Sequence, residues 1–397
     1  MKLKDVATIK HGFPYKGEYF TDVPTKNILL TPTNFTLKGG FQYANRYYSN
    51  DGEMPEEFNL HKDDLIVTMT DLSKEIDTIG YGALIPDDPN HVFLHNQRIG
   101  LVTIFNPIVD KYYLYWLMRT KFYQRTIAGA SNGATVHHTS PDRILSFNWI
   151  FPSLDNQKKI ASILSAYDSQ IENNKKRIKL LEQMAENLYK EWFVRFRFPG
   201  YETAEFEGGL PKGWRIEKLK DVSSIVYGFP FNSSQFCSDA SLNPVVRIRD
   251  IADKHTETYT SEKPDDKYLI HTNDVLIGMD GIFHMNIWTN DGDYLNQRVV
   301  KVTSTKPHLS NLFIFQSIFP QVKMLESIIS GTTVAHLSAK DMCKMTILIP
   351  DKHTLELSFS KFESMMAMRN KLLIQNDLLT HQRDLLLPRL MSGKLSI

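Results

Sequence analysis

Apolar residues recur in alternating steps of four and three through residues 155–198: Ile160, Leu164, Tyr167, Ile171, then Ile178, Leu181, Ala185, Leu188 and Trp192. The place between Ile171 and Ile178 is taken by Asn174, and the positions around the series are charged or carry amides, among them Lys158, Lys159, Glu172, Lys175, Lys176, Glu182 and Glu186. No proline or glycine interrupts the stretch, although Pro152 precedes it and Pro199 and Gly200 follow. This is the heptad pattern of a coiled coil with one polar residue in its seam. About 40 helical residues span roughly 60 Å, too long for one globular core, so the helix reads as a spacer that packs on another long helix. Residues 354–391 supply a partner: Leu355, Phe359, Phe362, Met366, then Leu372, Asn376, Leu379, Arg383, Leu386 and Leu390. Between Met366 and Leu372 the rhythm slips by about one residue, the mark of a stammer. The alternative, two surface helices on separate domains, fits the length of the first seam less well.

Outside these helices the chain repeats itself. Lys2, Leu3, Lys4, Asp5 and Val6 return as Lys218, Leu219, Lys220, Asp221 and Val222, a shift of 218 − 2 = 216. Gly12, Phe13, Pro14 and Tyr15 return at the same shift as Gly228, Phe229, Pro230 and Phe231. Asn96, Gln97 and Arg98 return as Asn296, Gln297 and Arg298, and Gly133, Thr135, Val136, His138 and Ser140 as Gly331, Thr333, Val334, His336 and Ser338. Strand-like runs at 64–68 and 100–104 and a helical aromatic cluster at 112–122 predict a mixed α/β unit. Ser140 before Pro141 predicts a helix start, and Ser338 with Asp341 a capping box. The expected fold is therefore α+β: two similar mixed domains, 1–153 and 214–352, with long helices at 154–198 and 353–397 and a linker at 199–213. Chain order then predicts antiparallel helices, domains at opposite ends of the rod, and a pseudo-two-fold internal repeat.

Composition narrows the class. With 42% hydrophobic and 23% charged residues, the chain reads as a soluble globular protein. The first residues lack the apolar core of a signal peptide, and no apolar run is expected to reach membrane-span length. Cys237 and Cys343 read as buried free thiols of a reducing, cytoplasmic compartment. Forty-six basic residues against forty-five acidic ones leave a net charge of +1. Any nucleic-acid binding would then need charge segregated on one face or supplied by a partner.

The ordered set of features resembles the specificity (S) subunit of type I restriction–modification systems over the whole chain. It rests on the duplicated domain-plus-helix order, the Lys-Leu-x-Asp-Val opening with its repeat, the Gly-x-Thr loops, and the Leu-Leu-Leu-Pro-Arg-Leu-Met-Ser-Gly-Lys-Leu run at 385–395. The resemblance implies two target-recognition domains, each reading half of a split double-stranded DNA site, and helices that set the spacing and dock two methyltransferase (modification) subunits. It also implies motor-nuclease (restriction) partners. S-adenosylmethionine, ATP and Mg would belong to those partner subunits, with no cofactor in this chain. The rival reading is a coiled-coil scaffold that joins two proteins without reading DNA.

No amino-methylation, dinucleotide-binding, Walker or zinc-protease motif occurs, so the chain reads as non-catalytic. His137 and His138 lack a second cluster that would make them a metal site, and Pro264 to Lys267 matches a nuclease string only as turn residues do. Thr135, His137 and His138, and Thr332, Thr333 and His336, stand in Gly-x-Thr loops that lead to helix starts and could donate to phosphate or base edges. Asn96, Arg98 and Arg298 offer the amide and guanidinium groups that read adenine and guanine. Recurrence in both halves also suits a structural role, since residues that read different half-sites should differ. Lys10, His11, Tyr15, Lys16, Tyr227, Asn232 and Ser234, around the Gly-Phe-Pro loops, are alternative readers. Gln170, Arg177, Met184, Lys190 and Trp192 are the expected partner-facing positions of the first helix.

Overall fold

The computed structural model describes residues 1–71, 78–129, 137–329 and 335–395. The chain divides into two units, one of Met1–Glu172 with Asp377–Ile397, the other of Asn173–Asn376. Each unit therefore contains one α/β domain and part of each long helix.

In unit 1 a four-stranded antiparallel sheet has the order Ala7–His11, Ile99–Ile104, Leu65–Thr68, Gly82–Leu84. Its two inner strands, Ile99–Ile104 and Leu65–Thr68, are largely apolar on both faces because both faces are covered, whereas the edge strand Ala7–His11 leaves Thr8, Lys10 and His11 exposed. Leu65, Val67 and Val102 pack with Tyr113, Trp116, Leu164, Leu387 and Leu390. The alternate residues Ile66 and Ile99 pack instead with Ile28, Leu30 and Phe93 of a second, five-stranded sheet. Unit 2 repeats the plan with Ser223–Tyr227, Val299–Ser304, Val275–Gly278 and Met285–Ile287 in the same order. The recurring opening motif has a structural cause. Leu3 and Leu219 are buried, and their amides donate to Phe147 O and Met345 O, which ties the start of each domain to its last segment.

The expected strands and caps are present. Ser140 and Ser338 cap the helices Pro141–Leu145 and Ala339–Lys344, the latter with the Asp341 capping box. The 199–213 segment carries a two-stranded hairpin, Phe206–Glu207 with Leu210–Pro211. Two expectations are corrected. Cys237 and Cys343 are free but exposed: Cys237 bridges to Tyr259 at a sheet edge, and Cys343 lies beside Met342, which takes the buried face of its helix. Among the described residues one helix, Asn311–Ile329, is long and apolar enough to cross a membrane by length and composition. It packs Leu312, Phe313, Ile314, Ile318 and Val322 into the unit 2 core.

The first long helix runs Leu154–Tyr189 and buries Gln157, Ile160, Leu164, Ile171, Asn174, Ile178 and Ala185, the predicted seam with Asn174 in place. It does not continue as α-helix to residue 198. Lys190–Val194 form a π-helical turn, and Phe196 has φ +57°. The wider turn lets the adjacent residues Trp192 and Phe193 both enter the core, which α-geometry resists. The second long helix, Lys352–Met391, is continuous, and where the apolar rhythm slips, buried Arg369 fills the seam between Met366 and Leu372. In unit 2, Asn174 bonds Asn376 while Glu182 bonds Arg369. One number rises as the other falls, so the helices are antiparallel.

A further repeat ties domain to helix. Lys38 pairs with Asp384 at 2.9 Å in unit 1, and Lys254 with Glu182 at 3.2 Å in unit 2; the lysines are related by the shift of 254 − 38 = 216. Burial works against the Glu182 carboxylate, but Lys254 and Arg369 outweigh it and hold its pKa below the ordinary value.

Candidate nucleic-acid interface

The candidate site lies where the central sheet of each unit gives way to loops. In unit 1, Ala7–His11 runs into Gly12, whose added Cβ would lie 2.5 Å from both Asn96 C and Asn96 O. Only glycine permits that approach. Phe13 N then donates to His95 O at 2.8 Å, and Gln97 N to Phe13 O at 3.1 Å. Unit 2 builds the same clamp: Phe229 N donates to Leu295 O at 2.9 Å, and Gln297 N to Phe229 O at 2.8 Å. The Gly-Phe-Pro loop and the Asn-Gln-Arg triad are thus two halves of one structure.

That clamp separates exposed side chains from buried braces. Asn96 is buried, and its Oδ1 accepts from Arg98 N at 3.2 Å. It braces the turn and is only 7% exposed, which suits the structural role. Tyr15 is also interior, its ring 4.9 Å from Tyr48 and 5.1 Å from Phe13, and burial together with Tyr48 pushes its pKa up to about 12. Its position directly after Pro14 turns the side chain into the second sheet's core. Lys10, His11, Arg98 and His138 are exposed. Lys10 lies over the Phe58 ring at 4.7 Å, and His11 Nδ1 is 3.2 Å from Gln97 O. The pairing of Thr70–Asp71 with His137–His138 brings His138 Nδ1 within 3.1 Å of Thr70 Oγ1 and leaves His137 half-buried. The triad, the first-strand end and the histidine strand are therefore all anchored to the central sheet. Lys16 is exposed at the start of the short helix Gly17–Tyr19.

In unit 2, Arg298 takes φ +69° and is exposed, with Nε 3.6 Å from Asp280 Oδ2. His336 Nδ1 lies 2.6 Å from Asp280 Oδ1. Asp280 thus gathers Arg298 and His336, and it stands where unit 1 has Thr70, since each pairs with the repeated histidine. Tyr227, half-buried, takes the place of His11. Asn232 Oδ1 accepts from Ser234 N at 3.1 Å and Ser234 Oγ at 2.9 Å, forming an exposed cap on Ser233–Gln235. Thr135, Thr332 and Thr333, with the rest of the Gly-x-Thr loops, lie outside the described residues.

Reasoning from sequence missed Thr70 and Asp280. The only sequence signal is their common distance of six residues after Asp64 and Asp274; their role depends on strand pairing. Chemically the two edges present guanidinium, ammonium, imidazole, amide and hydroxyl groups, the set that contacts phosphates and base edges. Among the described residues no group of three or more His, Cys, Asp or Glu is placed to hold a metal. On the first helix, Arg177 and Met184 are exposed and Gln170 is half-buried, and Lys190, which opens the π-helical turn after it, is exposed and bonded to Glu186. Trp192 is only 7% exposed and packs in the unit 2 core, so it cannot serve as a partner-facing residue.

A family model for the type I restriction modification DNA specificity domain matches residues 1–183 and 211–367. The specificity subunit of the type I restriction enzyme MjaIX of Methanocaldococcus jannaschii is 27% identical over 307 residues, which cover 72% of this chain and 69% of that protein. The HindI specificity subunit of Haemophilus influenzae is 22% identical over 400 residues, covering 79% and 86%. The crystal structure of a type I restriction–modification S subunit from M. genitalium superposes with a TM-score of 0.58 at 14% identity, covering 98% of this chain and 95% of that one, which is a likeness of fold.

Proposed function

This chain belongs to the type I restriction modification DNA specificity family, and we propose that its two domains each read one half of a bipartite DNA site. It is a DNA-specificity subunit and not itself an enzyme. One observation carries the half-site reading: the scaffold is the same in both units while the residues it presents differ. Gly12 against Asn96 and Gly228 against Asn296 form one clamp twice. Around it, His11 is replaced by Tyr227, Lys16 by Asn232 and Thr70 by Asp280. Two different half-sites require this combination, a common backbone with divergent side chains.

On this reading 1–153 and 214–352 are the recognition domains. Arg98, His138, Arg298 and His336 contact bases or phosphates, and Lys10, His11, Lys16, Tyr227, Asn232 and Ser234 tune the choice. Arg177, Met184, Lys190 and Gln170 face two methyltransferase subunits, which would bring S-adenosylmethionine; restriction subunits would bring ATP and Mg. With a net charge of +1, the chain alone binds DNA weakly, and partner charge raises affinity and its salt dependence. The test is methylation mapping of host DNA carrying the complex with Arg298→Ala or Asn232→Lys. Each substitution should relax or change one half-site and spare the other. A change in both halves, or an unaltered motif in both variants with methylation intact, refutes the assignment.

A further inference from the structure

Three polar layers stand in the seam of the long helices. In unit 1, buried Arg383 donates to Asp168, which also accepts from Arg119 at 2.8 Å. In unit 2, buried Arg369 donates to Glu182 at 3.1 Å, and Lys254 donates to the same carboxylate at 3.2 Å. Also in unit 2, Asn174 Nδ2 donates to Asn376 Oδ1 at 3.0 Å and to Gln375 Oε1 at 3.2 Å.

The charges are sorted by helix. Both acids belong to the first helix and both arginines to the second. Asp168 and Glu182 are 182 − 168 = 14 residues apart, as are Arg369 and Arg383 (383 − 369 = 14), and that spacing is two heptads. Antiparallel pairing of unlike helices therefore sets an acid on an arginine at both layers. Like helices in the same register do the opposite. Two first helices would place Asp168 on Glu182, and two second helices Arg369 on Arg383. In parallel, each charge would meet its own copy. Stability alone does not call for these arginines, since a well-packed apolar pair in their place is often neutral or better, whereas a buried charge deprived of its partner is strongly unfavourable. Within the second helix Arg383 also bonds the Asp384 carboxylate, whereas Arg369 bonds only the neutral Asn370 amide at 3.2 Å, so a local charge offsets that cost at one layer only.

We propose that these ionic layers are a partner-selecting surface: the first helix takes an unlike helix, from its own chain or another copy, and rejects a like one. The charges select the partner; the antiparallel sense follows from packing. The inference is independent of which DNA the domains read.

Full-length R369E/R383E carries acids at all four positions, and full-length D168R/E182R carries arginines at all four. Neither variant can satisfy its seam within one chain or with a copy of itself. Mixed, they complement each other between chains. Each variant, and the wild type, is co-expressed in two differently tagged forms, and the two variants are co-expressed with one another. The mixed pair should co-purify as a dimer, with recovery at least about tenfold above either self-pair, the scale of coupling between residues of one salt-bridge network, and above the wild-type pair. D168R also removes the carboxylate that Arg119 bonds, leaving it Tyr115 Oη and Lys38 O, and E182R removes the carboxylate of Lys254, which mixing cannot repair, so co-recovery is read rather than melting temperature. A variant insoluble alone but recovered with its complement supports the proposal. Mixed recovery no higher than the self-pairs, insolubility that persists in the mixture, or equal association of wild-type copies overturns it.

Discussion

Replacing Gly228 by alanine should unseat the Gly-Phe-Pro loop of unit 2 and leave unit 1 unaffected. The new Cβ would meet Asn296 C and O well inside 3.0 Å and Leu295 O at 2.8 Å, against an ordinary contact of 3.4 Å or more. These are backbone atoms and cannot rotate away. They also hold the clamp together: Leu295 O accepts from Phe229 N, Asn296 O accepts from Val299 N at 3.1 Å, and Gly228 N donates to Val299 O at 3.0 Å. Relieving the overlap means separating the loop from the triad and weakening two or three of these bonds. At about 1 kcal/mol net each, with overpacking strain of similar size, the expected loss is about 2–4 kcal/mol. For a unit of this size that lowers the melting transition by roughly 5–12 °C. The two units need not melt together, so hydrogen exchange at the Phe229 and Gln297 amides assigns the change to unit 2. Gly17→Ala is the control, since nothing lies within 4 Å of its added Cβ; it should stay within about 0.5 kcal/mol of the parent. A Gly228→Ala chain that melts within about 1 °C of the parent, with both amides still protected, would refute the reasoning.

Two further substitutions test the framework. His95 is 1% exposed, and its Nε2–H donates to Ile99 O at 2.8 Å; burial, despite that bond, holds its pKa below the ordinary histidine value. The unfolded chain therefore takes up the proton first, so stability is full above about pH 6.5 and falls as the pH drops towards the folded-state pKa. His95→Leu, which copies Leu295 of the other unit, should flatten that part of the stability profile; identical acid slopes of the urea midpoints would contradict this. Gln157 is fully buried, donating to Ile108 O at 2.8 Å and Pro152 O at 2.9 Å while accepting from Asp110 N at 2.9 Å. Gln157→Leu leaves three backbone groups unpaired and should destabilise unit 1 by about 3 kcal/mol or more, measured by chemical denaturation; an unchanged midpoint would show that the local backbone relaxes.

The local pattern alone determined the first seam, from Ile160 to Ala185 with Asn174 inside it, because heptad periodicity belongs to a single helix and needs no neighbour. The Ser140 and Ser338 caps were legible for the same reason, being set by residues within three or four positions, and the repeat was legible because the two halves can be laid side by side without knowing the fold. Tertiary structure decided the rest. Arg369 enters the seam because Glu182 and the opposing helix receive its charge, which its own neighbours do not announce. Tyr15 and Asn96 look like readers in sequence and become core and brace once the Gly-Phe-Pro loop docks on a triad more than eighty residues away. His138 meets Thr70 across 68 residues, and His336 meets Asp280 across 56. Those encounters depend on strand register, which is set by the packing of both sheet faces and leaves no periodic trace along the chain.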